Sequence, residues 1–201
     1  MSNSFDPAEF IRQEAASVAM IADSLGAEFD SAVAELVRCE GKVIVTGAGT
    51  SGAIARRMAH LFNVTGTPAI YQNSSDALHG SSAVVTDRDL LVALSKGGES
   101  QEINGFIRIA KDRGARVLAL SSATENTMNS LADVKVYISA GTGDPQGIIA
   151  MGSTLVYAAW GDALAMKVME TRGYSWESVL HSHPGGAVGK YADSLRKQIR
   201  L

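Results

Sequence analysis

Lys42-Val43-Ile44-Val45-Thr46-Gly47-Ala48-Gly49-Thr50-Ser51-Gly52, continued by Ala53-Ile54-Ala55-Arg56-Arg57-Met58, reads as strand, tight loop and helix. Val43, Ile44 and Val45 form the short β-branched run of a buried parallel strand, and Ala53, Ile54 and Met58 begin a helical pattern. Three glycines leave the backbone between them free to turn. Such a turn aims unpaired backbone N–H groups and the positive end of a helix dipole at whatever lies beyond the strand, an arrangement that favours an anion, most often phosphate. The spacing Gly-x-Gly-x-x-Gly also fits a dinucleotide fingerprint. Against a dinucleotide stand the hydroxyls of Thr50 and Ser51, suited to phosphate oxygens, and the lack of an acidic residue at the end of the next apolar run, Ala69-Ile70-Tyr71-Gln72. A structural turn without a ligand remains the plain alternative.

Working outward, the chain alternates apolar runs of strand length with helical patterns. Strands are expected at 43–46, 69–71, 90–94, 117–120 and 134–138, and helices at 51–64, 100–113, 127–131 and 152–171. That alternation predicts an α/β fold, a three-layer doubly wound sheet of five parallel strands with right-handed crossovers. With strand order 2-1-3-4-5, the loops after strands one and three face each other across a crevice where ligands bind. Two helices precede the first strand. Asp6-Pro7-Ala8-Glu9 opens the first with a cap, a proline at the first helical position and a glutamate placed to reach back, and its pattern runs to Leu25-Gly26. The second covers 29–38, and the pair is expected to cover the sheet or meet another subunit. One domain is expected over 1–201, with a helical pair at 1–40, a ligand-binding core at 41–190 and a tail at 191–201.

Composition narrows the function. The net charge of −3, with Lys and Arg scattered, provides no field for a nucleic-acid backbone. The amino terminus has no leader pattern and no run reaches a membrane span, so a cytoplasmic protein with no membrane or nucleic-acid partner is expected. Cys39 stands alone, which excludes an internal disulfide, and reads as a buried small hydrophobe.

The third strand runs into Ser95-Lys96-Gly97-Gly98-Glu99-Ser100-Gln101-Glu102, a second turn rich in glycine and hydroxyls at a helix start. Facing the first loop, it would set Ser95 and Ser100 beside Thr50 and Ser51 around one phosphate. Glu99 reads as an answer to the helix dipole. A third loop, Gly141-Thr142-Gly143-Asp144-Pro145-Gln146-Gly147, leads to Ser153 and Thr154, either of which would cap the long helix that follows. On that helix Trp160, Met166 and Met169 read as core. His181-Ser182-His183-Pro184-Gly185-Gly186 has no apolar periodicity; its histidines suit proton transfer better than metal binding, and no metal or other cofactor is expected. His79, after the second strand, is another candidate.

In order and spacing, Gly47-Ala48-Gly49-Thr50-Ser51-Gly52, Thr65-Gly66-Thr67-Pro68, Ala77-Leu78-His79-Gly80, Ser95 to Glu102, Ser153-Thr154, Gly161-Asp162-Ala163-Leu164-Ala165 and Ser182-His183-Pro184-Gly185-Gly186 resemble the SIS (sugar isomerase) domain, and most closely the catalytic domain of arabinose-5-phosphate isomerases. The resemblance implies a flavodoxin-like sheet and cofactor-free aldose–ketose interconversion of a sugar phosphate. It also implies a homo-oligomer, commonly a tetramer, whose site borrows a histidine from a neighbour. Carried over, Ser51, Ser95, Ser100 and Thr154 would bind the phosphate end, Glu102 would be the catalytic carboxylate, and His79 and His183 would act on the sugar; Gly49, Thr50, Gly97 and Ser153, read from the loops themselves, complete the expected phosphate site. The chain departs from the family pattern in three ways. Thr50 stands where the first loop usually has lysine; a glutamate expected before the third loop is missing, with Asp144 the nearest acid; and the paired CBS modules that often follow are not expected. Lys96, where asparagine is common, brings a positive charge back towards the site. The expected function is an isomerase for arabinose 5-phosphate or another sugar phosphate such as a hexulose 6-phosphate, with a non-catalytic phosphosugar sensor as the alternative.

Overall fold

The computed structural model describes residues 5–190 together with 194 and 197; the tail expected at 191–201 lies for the most part outside them. The elements run α1 (Pro7–Ala22), α2 (Ala27–Arg38), β1 (Val43–Gly47), α3 (Gly49–Val64), β2 (Ala69–Tyr71), α4 (Ser74–Ala77), β3 (Leu90–Leu94), α5 (Gln101–Asp112), β4 (Arg116–Ser121), α6 (Thr127–Leu131), β5 (Val134–Tyr137), α7 (Gly152–Thr171), α8 (Trp176–His181) and α9 (Gly186–Lys190). The five strands are parallel, in the order β2-β1-β3-β4-β5.

Strand pattern follows position in the sheet. β1 and β3 are buried at every residue because helices cover both their faces, and the edge strands β2 and β5 are part exposed. Successive side chains alternate between two cores, as a two-residue period requires. Val43, Val45, Val92, Leu118 and Leu120 pack on one face with residues of α2, α3 and α7. Ile44, Leu91, Ala93, Val117 and Ala119 pack on the other with α5 and α6. These are the three layers expected.

Both leading helices belong to the first of these cores: Ile21 of α1 and Ala32, Val33 and Leu36 of α2 are buried in it. At the start of α1, Asp6 Oδ1 accepts from the backbone N–H of Ala8 (2.9 Å) and Glu9 (3.3 Å), as a cap should. The Glu9 side chain does not close a capping box; it pairs with Arg12 at 3.2 Å. α1 also ends three residues before Leu25, with the Ser24 N–H and hydroxyl both donating to the Ile21 carbonyl. Trp160 and Met169 are buried as expected, but Met166 is 45% exposed. Cys39 is half-buried at the end of α2, and burial holds its thiol pKa above the usual value.

Candidate functional site

The sheet order reverses between β1 and β3, and Gly47 pairs with Leu94, so the loops leaving these strands depart side by side. Their helices diverge to opposite faces, α3 with one core and α5 with the other. Neither helix start is closed by its own side chains. Ala48 precedes α3 and offers no capping bond; Gly49 turns into the helix at φ +56°, Thr50 is exposed and Ser51 is buried beneath them. Ser100 occupies the cap position of α5, yet its hydroxyl makes no capping bond. Ser95 Oγ accepts the Gly98 N–H at 3.1 Å, which leaves its own proton to donate, and Gly97 lies exposed between them. Two helix amino ends with orphan N–H groups and uncommitted hydroxyls thus flank one crevice, an arrangement receptive to an anion.

The third loop behaves differently. Neither Ser153 nor Thr154 caps α7. The Thr154 hydroxyl donates back to the Met151 carbonyl at 2.6 Å, and Ser153 is buried with its hydroxyl lacking a hydrogen-bond partner among the described residues. The cap is Asp144, seven and nine residues upstream, whose Oδ1 accepts from the N–H groups of Met151 and Ser153, both at 2.9 Å. Its Oδ2 takes the Lys96 ammonium at 2.6 Å, and Lys96 also donates to the Gly147 carbonyl at 3.1 Å. Burial alone would raise the Asp144 pKa, but Lys96 and the backbone donors outweigh it and hold the carboxyl below its ordinary value. The α7 start is therefore already filled by a carboxylate of the chain itself. α1 steadies the loop behind it, Ser17 Oγ accepting from the Thr142 N–H at 3.2 Å.

Of the two glutamates, Glu99 has a structural post, though at a different helix from the one expected. Its carboxylate accepts the backbone N–H of Thr127 (2.7 Å) and the Thr127 hydroxyl (2.6 Å), closing the start of α6, and these bonds lower its pKa. Glu102, half-buried in the first turn of α5, makes no hydrogen bond or ion pair among the described residues. His79 ends the segment that carries α4, and α4 packs on α5 with the Leu78 side chain over Gly105, one helical turn beyond Glu102. Glu102 and His79 are thus brought to the same side of α5.

The segment that carries His183 sets out from the opposite end of the sheet. α7 starts beside the β5 loop and runs back along the sheet, so it ends at the amino ends of the strands. There Arg172 donates to the carbonyls of Leu36, Val37 and Cys39, and the Tyr174 ring covers Gly66. The segment bearing α8 and His183 departs from that far end. The His183 ring stays local, its Nδ1 2.6 Å from the Val179 carbonyl and 3.2 Å from Ser182 Oγ. A cleft at the same end, lined by Glu35, Arg38, Arg88, Asp89 and Arg116, has its charges largely paired, Glu35 taking both Arg38 and Arg116. No three His, Cys, Asp or Glu side chains among the described residues gather as metal ligands would.

The SIS domain family model matches residues 36–167, the span that holds both loops, Glu102 and the start of α7. The chain belongs to the SIS domain family. It is 34% identical over 183 residues to arabinose 5-phosphate isomerase KdsD of Yersinia pestis, covering 90% of this chain and 56% of that protein. Arabinose 5-phosphate isomerase GutQ of Salmonella typhi is 34% identical over 168 residues, 83% of this chain and 52% of the relative. The chain thus spans little more than half the length of the curated relatives it matches. Among solved structures, Escherichia coli CFT073 c3406 in complex with arabinose 5-phosphate superposes with a TM-score of 0.82 at 29% identity, covering 87% of this chain and 94% of that one. As a SIS domain, the chain presents its β1 and β3 loops open and its α7 start closed by Asp144. Spacing alone did not reveal that closure, because a cap reaching back nine residues leaves no local signature; the Asp144-Pro145 turn was its one trace.

Proposed function

We propose that this SIS domain is a sugar-phosphate isomerase that works through an enediol, on an arabinose 5-phosphate/ribulose 5-phosphate-like pair. The observation that carries the reading is that two uncapped helix starts flank one crevice, with the unpaired carboxylate of Glu102 in the first turn of one of them. The phosphate sits on the N–H groups and hydroxyls of Thr50, Ser51, Ser95 and Ser100, and fixes the far end of the sugar. That grip lets binding energy orient the reacting end. Glu102 removes the proton on the carbon next to the carbonyl, an enediol forms, and the same carboxylate returns the proton to the neighbouring carbon. His79, on the same side of α5, moves the hydroxyl proton between the two oxygens. The names of the KdsD and GutQ relatives and the arabinose 5-phosphate complex of the Escherichia coli protein support this substrate class.

The proposal extends to a homo-oligomer, a tetramer, in which His183 of a neighbouring copy completes the crevice. A histidine whose segment leaves from the far end of the sheet serves a site only by reaching into another copy. A non-catalytic sensor for phosphosugars is the second reading, favoured by Thr50 in place of a lysine in the first loop.

Incubation with a panel of aldose and ketose phosphates in deuterated water separates the two. Deuterium entering C1 or C2 is the expected result. Binding without exchange assigns the chain to the sensor class, and binding of none of the panel removes both readings.

A further inference from the structure

A phosphate dianion held at open helix starts is held more tightly with a cation beside it, and the loops supply very few. Between the ends of β1, β3, β4 and β5 and the helices that follow them, Lys96 is the only Lys or Arg. In the structure that ammonium is already engaged, 2.6 Å from Asp144 Oδ2 and 3.1 Å from the Gly147 carbonyl. Two of its three donors are used and one remains. The two partners differ in freedom. The Asp144 side chain is 4% exposed and fixed by two backbone N–H groups at the α7 start; the Lys96 side chain is 34% exposed, on a flexible four-carbon stem.

We propose that Lys96 is the cation that meets the ligand's phosphate, and that Asp144 sets the affinity by competing for the same ammonium. The inference rests on the sugar-phosphate reading above and adds a specificity-determining pair to it. The exchange is feasible because Asp144 is not stranded when the lysine turns away: Oδ1 keeps the Met151 and Ser153 N–H groups, and the α7 dipole continues to favour its charge. Asp144 thus acts as an internal stand-in for the anion. Its nearest acidic neighbour along the Lys96 loop, Glu99, is occupied by Thr127 and does not compete. A ligand with a dianionic phosphate draws Lys96 across; the same sugar without phosphate has nothing to offer it.

The test is calorimetric titration of arabinose 5-phosphate, arabinose and inorganic phosphate into the wild-type chain, Lys96→Met and Asp144→Asn. Lys96→Met is expected to weaken the two phosphate ligands by about tenfold, the loss of one charge-assisted contact. Asp144→Asn is expected to tighten them severalfold, since an amide still accepts the α7 N–H groups but no longer holds the ammonium. Arabinose should show no difference among the three proteins. A merely structural bridge between the two loops predicts a different pattern, both substitutions weakening binding together, and that outcome or no change in either overturns the inference. If Lys96→Met does not fold, the sign of the Asp144→Asn effect decides alone: tighter supports the inference, weaker or unchanged rejects it. A wild-type chain that binds neither phosphate ligand brings down the functional reading and this inference with it. Wild-type binding that the substitutions leave alone brings down this inference only.

Discussion

The carbonyl oxygen of Gly47 stands 2.8 Å from the position a Cβ on Gly52 would take, so the end of β1 and the first turn of α3 are in backbone contact. Nothing larger than glycine fits there without moving the turn that exposes the α3 N–H groups. Gly52→Ala should therefore lower stability by about 1–3 kcal/mol, the usual cost of overpacking, and weaken phosphate binding as well. Gly49 has open space around it but a positive φ of 56°, so Gly49→Ala carries backbone strain of about 1–2 kcal/mol without a clash. Urea unfolding with phosphate titration on both variants checks this. Gly52→Ala matching wild type in stability would show that the turn yields.

A second prediction concerns Asp89, nearly fully buried at the amino end of β3. Its carboxylate accepts the Lys42 N–H (2.8 Å), the Thr86 N–H (2.8 Å) and the Lys42 ammonium (2.7 Å), joining the entry of β1 to that of β3. Burial would raise its pKa, but Lys42 and the backbone donors outweigh that and hold it below the ordinary value. A carboxyl with a depressed folded pKa contributes stability above the unfolded value and loses it as pH falls through the folded one. Asp89→Asn should thus destabilise by about 3 kcal/mol at pH 7, and the gap to wild type should close as pH drops below about 4. Unfolding midpoints at pH 7, 5 and 3 measure it; a gap independent of pH would mean that the charge is immaterial.

Much of this was readable in advance, for identifiable reasons. Val43-Ile44-Val45 and Leu90-Leu91-Val92 announce strands buried on both faces because no polar residue interrupts them, and the glycine- and hydroxyl-rich loops after them leave helix starts uncapped. The roles of Asp144 and Glu99 were not readable. Each closes a helix to which it does not belong, and spacing rules register only the residues next to a helix start. Ser153 and Thr154 satisfied that local rule while a distant carboxylate held the position. Met166 misled for a related reason: α7 is apolar on most sides, so its pattern did not mark which side faces outward. The short helices α4, α8 and α9 fall below the length at which periodicity says anything.

Glu102 and Glu99 give a paired prediction. They lie three residues apart, yet one carboxylate, in the first turn of α5, has no partner among the described residues and the other is tied to Thr127. Glu102→Gln should keep phosphosugar affinity and reduce turnover by about 10²–10⁴-fold, the range for losing a general base. Glu99→Gln should leave turnover close to wild type and loosen the start of α6, seen as faster amide exchange at Thr127. Wild-type turnover in Glu102→Gln would remove that residue from the mechanism, and a Glu99→Gln collapse with α6 intact would move the base to Glu99.

The last prediction addresses where His183 works. If each site takes Glu102 from one copy and His183 from a neighbour, a chain with Glu102→Gln still lends a good histidine, and a chain with His183→Ala still supplies a good carboxylate. Each variant alone should be inactive. Coexpressed in equal amounts and assembled at random, they should recover about a quarter of the wild-type rate, because one site in four draws its intact carboxylate and its intact histidine from complementary chains. A site built within a single copy recovers nothing from the mixture. Activity of the mixed sample, set against each variant alone and against the mass of the assembly in solution, distinguishes the two. Zero recovery from an assembly that has demonstrably mixed would confine the chemistry to one chain and overturn the sharing of His183 between copies.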